Sequence, residues 1–229
     1  MRDDICTIPV SEVFEINDGC PICRMYETVE KRIVDYIMGD AMMEPDVRIE
    51  TNKLGFCERH YDKMISHRGR LQLSLMLQTH LDEINRGIFS RKFFTTNARK
   101  GEKAAKISES CFICNKIEFG ISRMIETIYR TYEEQRDFRE MFNGQPQFCL
   151  PHYERLMAGL EKRNMRHFGG AFADNLTRIT GDYVKSLYED VSEYCKVYDY
   201  RSAGEKQLTE SQLLSVENSI AFLTGRKAD

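Results

Sequence analysis

Six of the eight cysteines and two of the five histidines fall into one spacing that occurs twice along the chain. Each copy consists of a C-x2-C motif followed, more than 30 residues later, by F-C-x2-H. Three thiolates and one imidazole are the soft and borderline ligands of tetrahedral zinc sites. The candidate metal ligands are Cys20, Cys23, Cys57 and His60 in the first copy, and Cys111, Cys114, Cys149 and His152 in the second.

The ligand set predicts two zinc ions with a structural role. Four protein ligands fill a tetrahedral coordination sphere, whereas a catalytic zinc keeps one position open. We predict that each ion is held within one copy, because closing a shorter loop costs less chain entropy. The spacing also leaves open an exchanged arrangement, with C-x2-C from one copy and C-x2-H from the other. An iron–sulfur cluster, with histidine replacing one thiolate, is the alternative metal group.

Both motifs are predicted to lie at helix N-termini. Pro21 suits the first positions of a helix, which places Cys23 in the first turn, where backbone N–H groups stabilise a thiolate. The C-x2-H motif likewise precedes a predicted helix in each copy. Apolar residues three or four apart continue the helices after C-x2-C as Tyr26, Val29, Ile33 and Ile37, and as Ile117, Ile121, Met124, Ile128 and Tyr132.

The two copies are kept in register over most of the chain. Cys20 and Cys111 are offset by 91 residues, and Cys57 and Cys149 by 92. We therefore predict an all-α protein of two tandem similar helical units, each with a Cys3His clasp that joins helix N-termini, plus a C-terminal helix. The predicted division is residues 1–95, 96–200 and 201–229. Long helices are expected near 71–89 and 171–199, and Thr209-x-x-Gln212 predicts a capping box.

The opening motifs of the chain resemble those of a known family. Thr7-Ile8-Pro9-Val10 with Phe14, then CPIC, then GFCERH, is similar to an uncharacterised bacterial family of tandem CPxC…FCxxH proteins. The resemblance implies the architecture with two sites, and implies no activity. The second copy departs from the pattern at two positions that are not candidate ligands, since Phe112 replaces proline and Gln147 replaces glycine.

The remaining segments are interpreted from local composition. Residues 5–16 are expected to be an extended lead-in, because Pro9 is excluded from a helix interior. Cys6 and Cys195 are interpreted as packing residues and not as ligands. Residues 91–106 are rich in lysine and arginine and contain Phe93 and Phe94, which favours a solvated linker. Acidic residues on the predicted helices are expected to face solvent.

Composition limits the possible classes of function. The formal net charge of −3 argues against general nucleic-acid binding, which needs concentrated positive charge. The N-terminus lacks the apolar core of a signal peptide, and no stretch approaches the roughly 18 apolar residues of a membrane-spanning helix. We therefore expect a cytoplasmic protein, where reduced cysteines favour metal binding or redox chemistry over disulfides.

The first functional hypothesis is a double-zinc helical scaffold that serves as a binding or adaptor module. Its partner, a protein or a small molecule, is not identified by any motif. The alternative is a thiol-dependent redox or metal-dependent enzyme or sensor that uses the C-x2-C and C-x2-H clusters. A third hypothesis is contact with nucleic acid through the basic linker. The sequence shows no phosphate-binding glycine loop and no Ser-His-Asp order typical of a hydrolase.

Overall fold

The protein is all-α over the part of the chain that its computed structural model describes, namely residues 7–90, 96–163, 165, 167–197 and 207–225. No strand occurs among these residues, so the predicted fold class is confirmed. The helices are α1 (Thr7–Phe14), α2 (Pro21–Met38), α3 (Pro45–Leu54), α4 (Glu58–Ser66), α5 (Arg70–Ile84), α6 (Asn97–Ser108), α7 (Phe112–Glu134), α8 (Arg136–Asn143), α9 (Leu150–Lys162), α10 (Gly169–Val197), α11 (Glu210–Leu213) and α12 (Ser215–Thr224). None of the described helices is long and apolar enough to cross a membrane.

The helices that begin at the cysteine motifs are those expected from the sequence. Helix α2 begins at Pro21 and ends just before Gly39, and α7 begins at Phe112. The long helices are present as well, since α5 continues into a π-helical turn that ends at Phe89, and α10 ends at Val197. The predicted capping box is confirmed, because Gln212 N–H donates to Thr209 Oγ1 and Thr209 N–H donates to Gln212 Oε1.

The lead-in is helical, so the prediction of an extended segment at residues 5–16 is wrong over α1. Pro9 occupies the third position of this helix, where its missing N–H would have had no partner inside the helix. Val10 and Phe14 are buried on one side of α1, which gives the helix a packing face.

The basic linker is also partly helical, because residues 97–108 form α6. Thr96 caps this helix by accepting the Arg99 N–H, and alanine and lysine side chains follow, which favour helix. No side chain of α6 is buried. The polar and exposed character that was predicted for the segment is therefore retained, while Phe93 and Phe94 lie outside the described residues.

The chain forms two compact units, of which the second is continuous in the sequence and the first is not. The first unit combines residues 1–26 with 121–229, and the second is residues 27–120. The boundaries between the units fall inside α2 and α7, not at residues 95 and 200. The division at residues 95 and 200 rests on the sequence repeat, and the similarity of the two copies stays a prediction.

The two units have cores of different composition. The first is centred on aromatic rings, in which Phe142 lies 4.7 Å from Phe172 and 5.0 Å from Phe148 between ring centroids. Methionine and aliphatic side chains fill the second, where Met64 and Met76 are among the least exposed residues. Each core packs the helices that carry one pair of cysteine motifs.

Cys195 is exposed, so its assignment to the core is wrong. The buried face of α10 includes Phe172, Leu176 and Ile179, and its last buried residue is Leu187. Cys195 lies more than two turns beyond that point. Cys6 lies outside the described residues.

Candidate metal centre

The eight predicted ligands come together in two groups of four, but the predicted grouping by copy is wrong. The structure joins each C-x2-C to the C-x2-H of the other copy. Site 1 consists of Cys20, Cys23, Cys149 and His152, and site 2 consists of Cys57, His60, Cys111 and Cys114. All residues of site 1 belong to the first compact unit, and all residues of site 2 belong to the second.

The predicted grouping is wrong because the entropic cost of closing a loop depends only weakly on the length of the loop. Cys20 and His152 are separated by 132 residues, against about 40 in the predicted grouping. The logarithmic dependence makes this difference worth only about 1 kcal/mol. The packing of several helices outweighs that amount, so chain entropy could not decide which motifs share a site.

Each site is built where two helix N-termini meet. Cys20 and Cys111 directly precede α2 and α7, whose first turns carry Cys23 and Cys114. Cys57 and Cys149 occupy the N-cap positions of α4 and α9, and the histidine follows at the third helical position. The partial positive charge of a helix N-terminus stabilises the thiolates that a metal requires.

The ligand atoms of site 1 lie in contact with one another. Cys23 Sγ is 3.6 Å from Cys149 Sγ. His152 presents Nδ1 to all three sulfurs, at 3.5 Å from Cys20, 3.4 Å from Cys23 and 3.0 Å from Cys149. The end of α12 also contacts the site, since the Gly225 carbonyl oxygen lies 3.4 Å from Cys23 Sγ.

Site 2 has almost the same dimensions. Cys57 Sγ lies 3.8 Å from Cys114 Sγ. The Nδ1 atom of His60 is 3.1 Å from the sulfur of Cys57, 3.2 Å from that of Cys111 and 3.4 Å from that of Cys114. In both sites the four ligand atoms lie within 4.8 Å of one another.

The sulfur–sulfur separations match the edges of a zinc tetrahedron. Zn–S bonds of about 2.3 Å and Zn–N bonds of about 2.0–2.1 Å at tetrahedral angles give S···S edges of about 3.8 Å and S···N edges of about 3.6 Å. The S···S distances of 3.6 and 3.8 Å agree with the ideal edge, whereas the S···N distances of 3.0–3.5 Å are shorter than it by about 0.1–0.6 Å. A disulfide would need about 2.05 Å between sulfurs, so neither pair is bonded. The donor set and its size therefore fit one tetrahedral ion per site.

The electrostatics of site 1 favour a cation. Burial opposes the ionisation of Cys20, but hydrogen bonds from Cys149 and Cys23 outweigh it and hold the pKa of Cys20 well below its usual value. The hydrogen bond between Cys149 and Cys23 contributes most to a raised pKa of Cys23, and the bond to Cys20 raises the pKa of Cys149 to about 12. Site 1 thus favours ionisation of Cys20 and opposes ionisation of Cys23 and Cys149. A positive ion beside the sulfurs would favour their ionisation.

Site 2 shows the same division of charge. Burial disfavours the thiolate of Cys111, yet hydrogen bonds from His60 and from the Cys114 N–H bring its pKa down to about 6. Burial, followed by the charge on Cys111, raises the pKa of Cys114 to about 12. A divalent cation among these sulfurs would remove the mutual repulsion that opposes full ionisation.

Glu30 is a residue of site 2 that sequence reasoning missed. Its side chain is only 3% exposed, and its Oε1 atom accepts a hydrogen bond from His60 Nε2–H at 2.9 Å. Acidic residues on helices were expected to face solvent, and this one does not. A signal existed, because Glu30 lies four residues after Tyr26 and three before Ile33, within the apolar stripe of α2.

No curated protein and no solved structure matches the chain at a significant level. A model of a protein family does match, and it covers residues 1–229. This family is described as a family of unknown function, which agrees with the uncharacterised family that the cysteine motifs resemble. The chain, whose two Cys3His groups could each hold a metal ion, belongs to the family of unknown function DUF6062.

Proposed function

We propose that sites 1 and 2 each bind one zinc ion, and that the protein is a cytoplasmic helical scaffold whose helices are clasped by these ions. The observation that carries the proposal is the agreement of the sulfur–sulfur distances with the edges of a zinc tetrahedron. Three thiolates and an imidazole saturate each ion, which favours a structural role over catalysis.

The same distances favour zinc over an iron–sulfur cluster. In a cluster with several irons, the protein thiolates bind different metal atoms and are separated by the inorganic core. Here all four ligand atoms lie within 4.8 Å of one another, which suits one ion. Thiolate-rich tetrahedral sites are typical of zinc.

Metal analysis of protein purified without added metal tests the proposal. We expect two zinc ions per chain, a colourless solution and an X-ray absorption spectrum with about three sulfurs near 2.3 Å and one nitrogen near 2.0–2.1 Å. Stoichiometric iron with visible charge-transfer bands would contradict the zinc assignment.

The scaffold is proposed to act as a binding or adaptor module for a protein or small-molecule partner. The last two helices support this role, because they expose apolar residues to solvent. Exposed apolar surface of this kind is common at interaction sites. The exposed apolar residues of α11 and α12 are Leu213, Val216, Ile220 and Leu223.

A photo-crosslinking amino acid at Ile220 tests the adaptor role in living cells. The matched control places the same amino acid at Glu217, an exposed polar position on the same helix. We expect a reproducible adduct from position 220 that is absent or weak from position 217. Equal labelling at both positions would contradict a specific interaction through the apolar face.

A further inference from the structure

The two histidines have different groups behind them. The Nδ1 atom of His60 faces the sulfurs of site 2, while its Nε2–H donates to the buried carboxylate of Glu30 at 2.9 Å. Arg59 lies 3.0 Å from the same carboxylate, and Lys63 also donates to it. Two cations therefore balance the negative charge that Glu30 brings next to three thiolates.

The sequence repeat places no such carboxylate behind the histidine of site 1. The position that corresponds to Glu30, 91 residues later, is Ile121, and it is fully buried. Pro151 corresponds to Arg59 at an offset of 92, so one of the cations is missing as well. The residue that corresponds to Lys63 is Arg155, which donates to Ser122 Oγ at 2.9 Å. At the positions that correspond to Glu30 and Arg59, the second copy thus carries the apolar residues Ile121 and Pro151.

A carboxylate on the outer nitrogen of a ligating histidine stabilises the metal site. It fixes the tautomer that offers Nδ1 to the metal, holds the ring in the correct orientation and raises the basicity of the ligand. Removing such a partner typically lowers metal affinity by 10–100-fold. Zinc in site 2 should therefore be held more tightly than zinc in site 1 by about this factor.

The exposure of the thiols favours the opposite order. Cys57 and Cys114, both in site 2, are half-buried, whereas Cys23 is the one half-buried thiol in site 1. If access of solvent to sulfur controlled release, site 2 would lose its metal first. The histidines point the other way, because His60 is buried and His152 is half-buried. The two effects thus predict different orders, and the order can be measured.

We infer that the two sites are not equivalent: Glu30 is a positioning residue that anchors His60 and makes site 2 the permanent zinc site, whereas site 1 is an exchangeable site that releases its zinc first. The inference rests on the proposed binding of zinc at both sites. The Gly225 carbonyl at the end of α12 lies against Cys23. Exchange of zinc at site 1 would therefore alter the surroundings of the last described helix.

Competitive chelation of the full, zinc-loaded chain tests the inference. The protein is mixed with excess 4-(2-pyridylazo)resorcinol, which reports released zinc by colour, and with N-ethylmaleimide, which alkylates each freed thiol. Mass spectrometry of digests taken at successive times then identifies the alkylated cysteines. Cys195 is exposed and belongs to neither site, so it serves as an internal reference for the rate of alkylation at a free thiol.

We expect two kinetic phases of one zinc ion each, with rates separated by at least tenfold. Alkylation of Cys20, Cys23 and Cys149 should accompany the fast phase, and alkylation of Cys57, Cys111 and Cys114 the slow phase. Release of both ions in a single phase, or alkylation of site 2 first, would overturn the inference. Fewer than two zinc ions before chelation would instead contradict the proposed function, and the inference would fail with it.

The Glu30→Gln variant tests the role assigned to the carboxylate. It should accelerate the slow phase by 10–100-fold and leave the fast phase unchanged. Glu27→Gln, one turn away on the exposed side of α2, is the matched control and should change neither phase. Co²⁺-loaded Glu30→Gln should also show a shifted ligand-field spectrum for one of its two ions. An unchanged slow phase in a folded, zinc-loaded Glu30→Gln protein would contradict the role of Glu30. If this variant does not fold, the order of zinc release from the unmodified chain still tests the inference.

Discussion

Two of the ligating cysteines also define where a helix begins. Cys57 and Cys149 adopt extended backbone angles at the N-cap positions of α4 and α9, with φ of −77° and −71°. Serine is a favoured N-cap residue, because its hydroxyl accepts a hydrogen bond from the first turn. A Cys→Ser change at these positions therefore removes a thiolate while preserving the start of the helix, which makes it a clean probe of metal binding.

Gly225 has a backbone conformation that favours glycine beside site 1. It ends α12 in the left-handed region, with φ of 68°, and a Cβ atom at this position would lie 3.4 Å from Cys149 Sγ. We predict that Gly225→Ala lowers the free energy of unfolding by about 1–2 kcal/mol, because L-residues other than glycine are disfavoured there. Urea denaturation of zinc-loaded protein measures the effect, and unchanged stability would show that the end of α12 is not held in this conformation.

For individual residues, the sequence predicts which side chains are ligands but not which side chains surround them. The repeated spacing identifies all eight cysteine and histidine residues of the two groups, because a motif at a helix start is local. Local spacing does not identify Glu30, because its burial depends on the packing of α4 against α2, which brings His60 to Glu30 across 30 residues of the chain. The exposure of Cys195 is missed for the same kind of reason, because periodicity does not show where the packing partner of a helix ends.

Among the elements, the helices that open with a strong local signal are the most predictable. Pro21 marks the start of α2, and the Thr209–Gln212 capping box marks the start of α11. The prediction fails for α1 and α6. The proline of α1 lies in the first turn, where it is compatible with a helix, and the alanines and lysines of α6 favour a helix although their charge is also typical of a linker.

Two glycines inside helices should respond to alanine in opposite directions. Gly181 in α10 has open space around the position of a Cβ atom, so Gly181→Ala should stabilise the protein by about 0.5–1 kcal/mol. Gly159 in α9 faces the hydroxyl of Tyr129, which is 1% exposed and donates to the Leu156 carbonyl at 2.7 Å. Gly159→Ala should therefore destabilise it by about 1–3 kcal/mol through overpacking.

Thermal denaturation of the two variants beside the parent protein provides the measurement. Each change serves as the control for the other, because both replace glycine by alanine in a helix and differ only in the space that is available. A stabilising Gly159→Ala would mean that Tyr129 can move away from α9 at little cost.

Over the whole molecule, each compact unit encloses one site and takes ligands from both sequence copies. Spacing could not reveal this, because a motif repeats identically whether its metal is shared within a copy or between copies. The fold class, the helix starts and the candidate ligands follow from local sequence, whereas the pairing of motifs follows from packing between residues that are 132 apart in site 1 and 57 apart in site 2.

Removal of the metal should weaken both units. Binding to a site that exists only in the folded chain contributes directly to the free energy of folding, with apparent values of about 10–16 kcal/mol for structural zinc at neutral pH. We predict that a strong chelator under reducing conditions lowers the melting temperature and the helical circular dichroism signal, and that added zinc restores both. Unchanged helicity and melting temperature after complete removal would contradict the structural role.

Zinc counting in two double variants tests most directly the claim that each site joins ligands from both copies. Cys23→Ser with Cys149→Ser damages only site 1, so one zinc ion should remain, whereas Cys23→Ser with Cys57→Ser damages both sites and should leave none. Cys195→Ser is the control and should retain two ions. If the Cys23 and Cys57 double variant instead kept one zinc ion and the Cys23 and Cys149 double variant kept none, each site would lie within a single copy and the account would be contradicted.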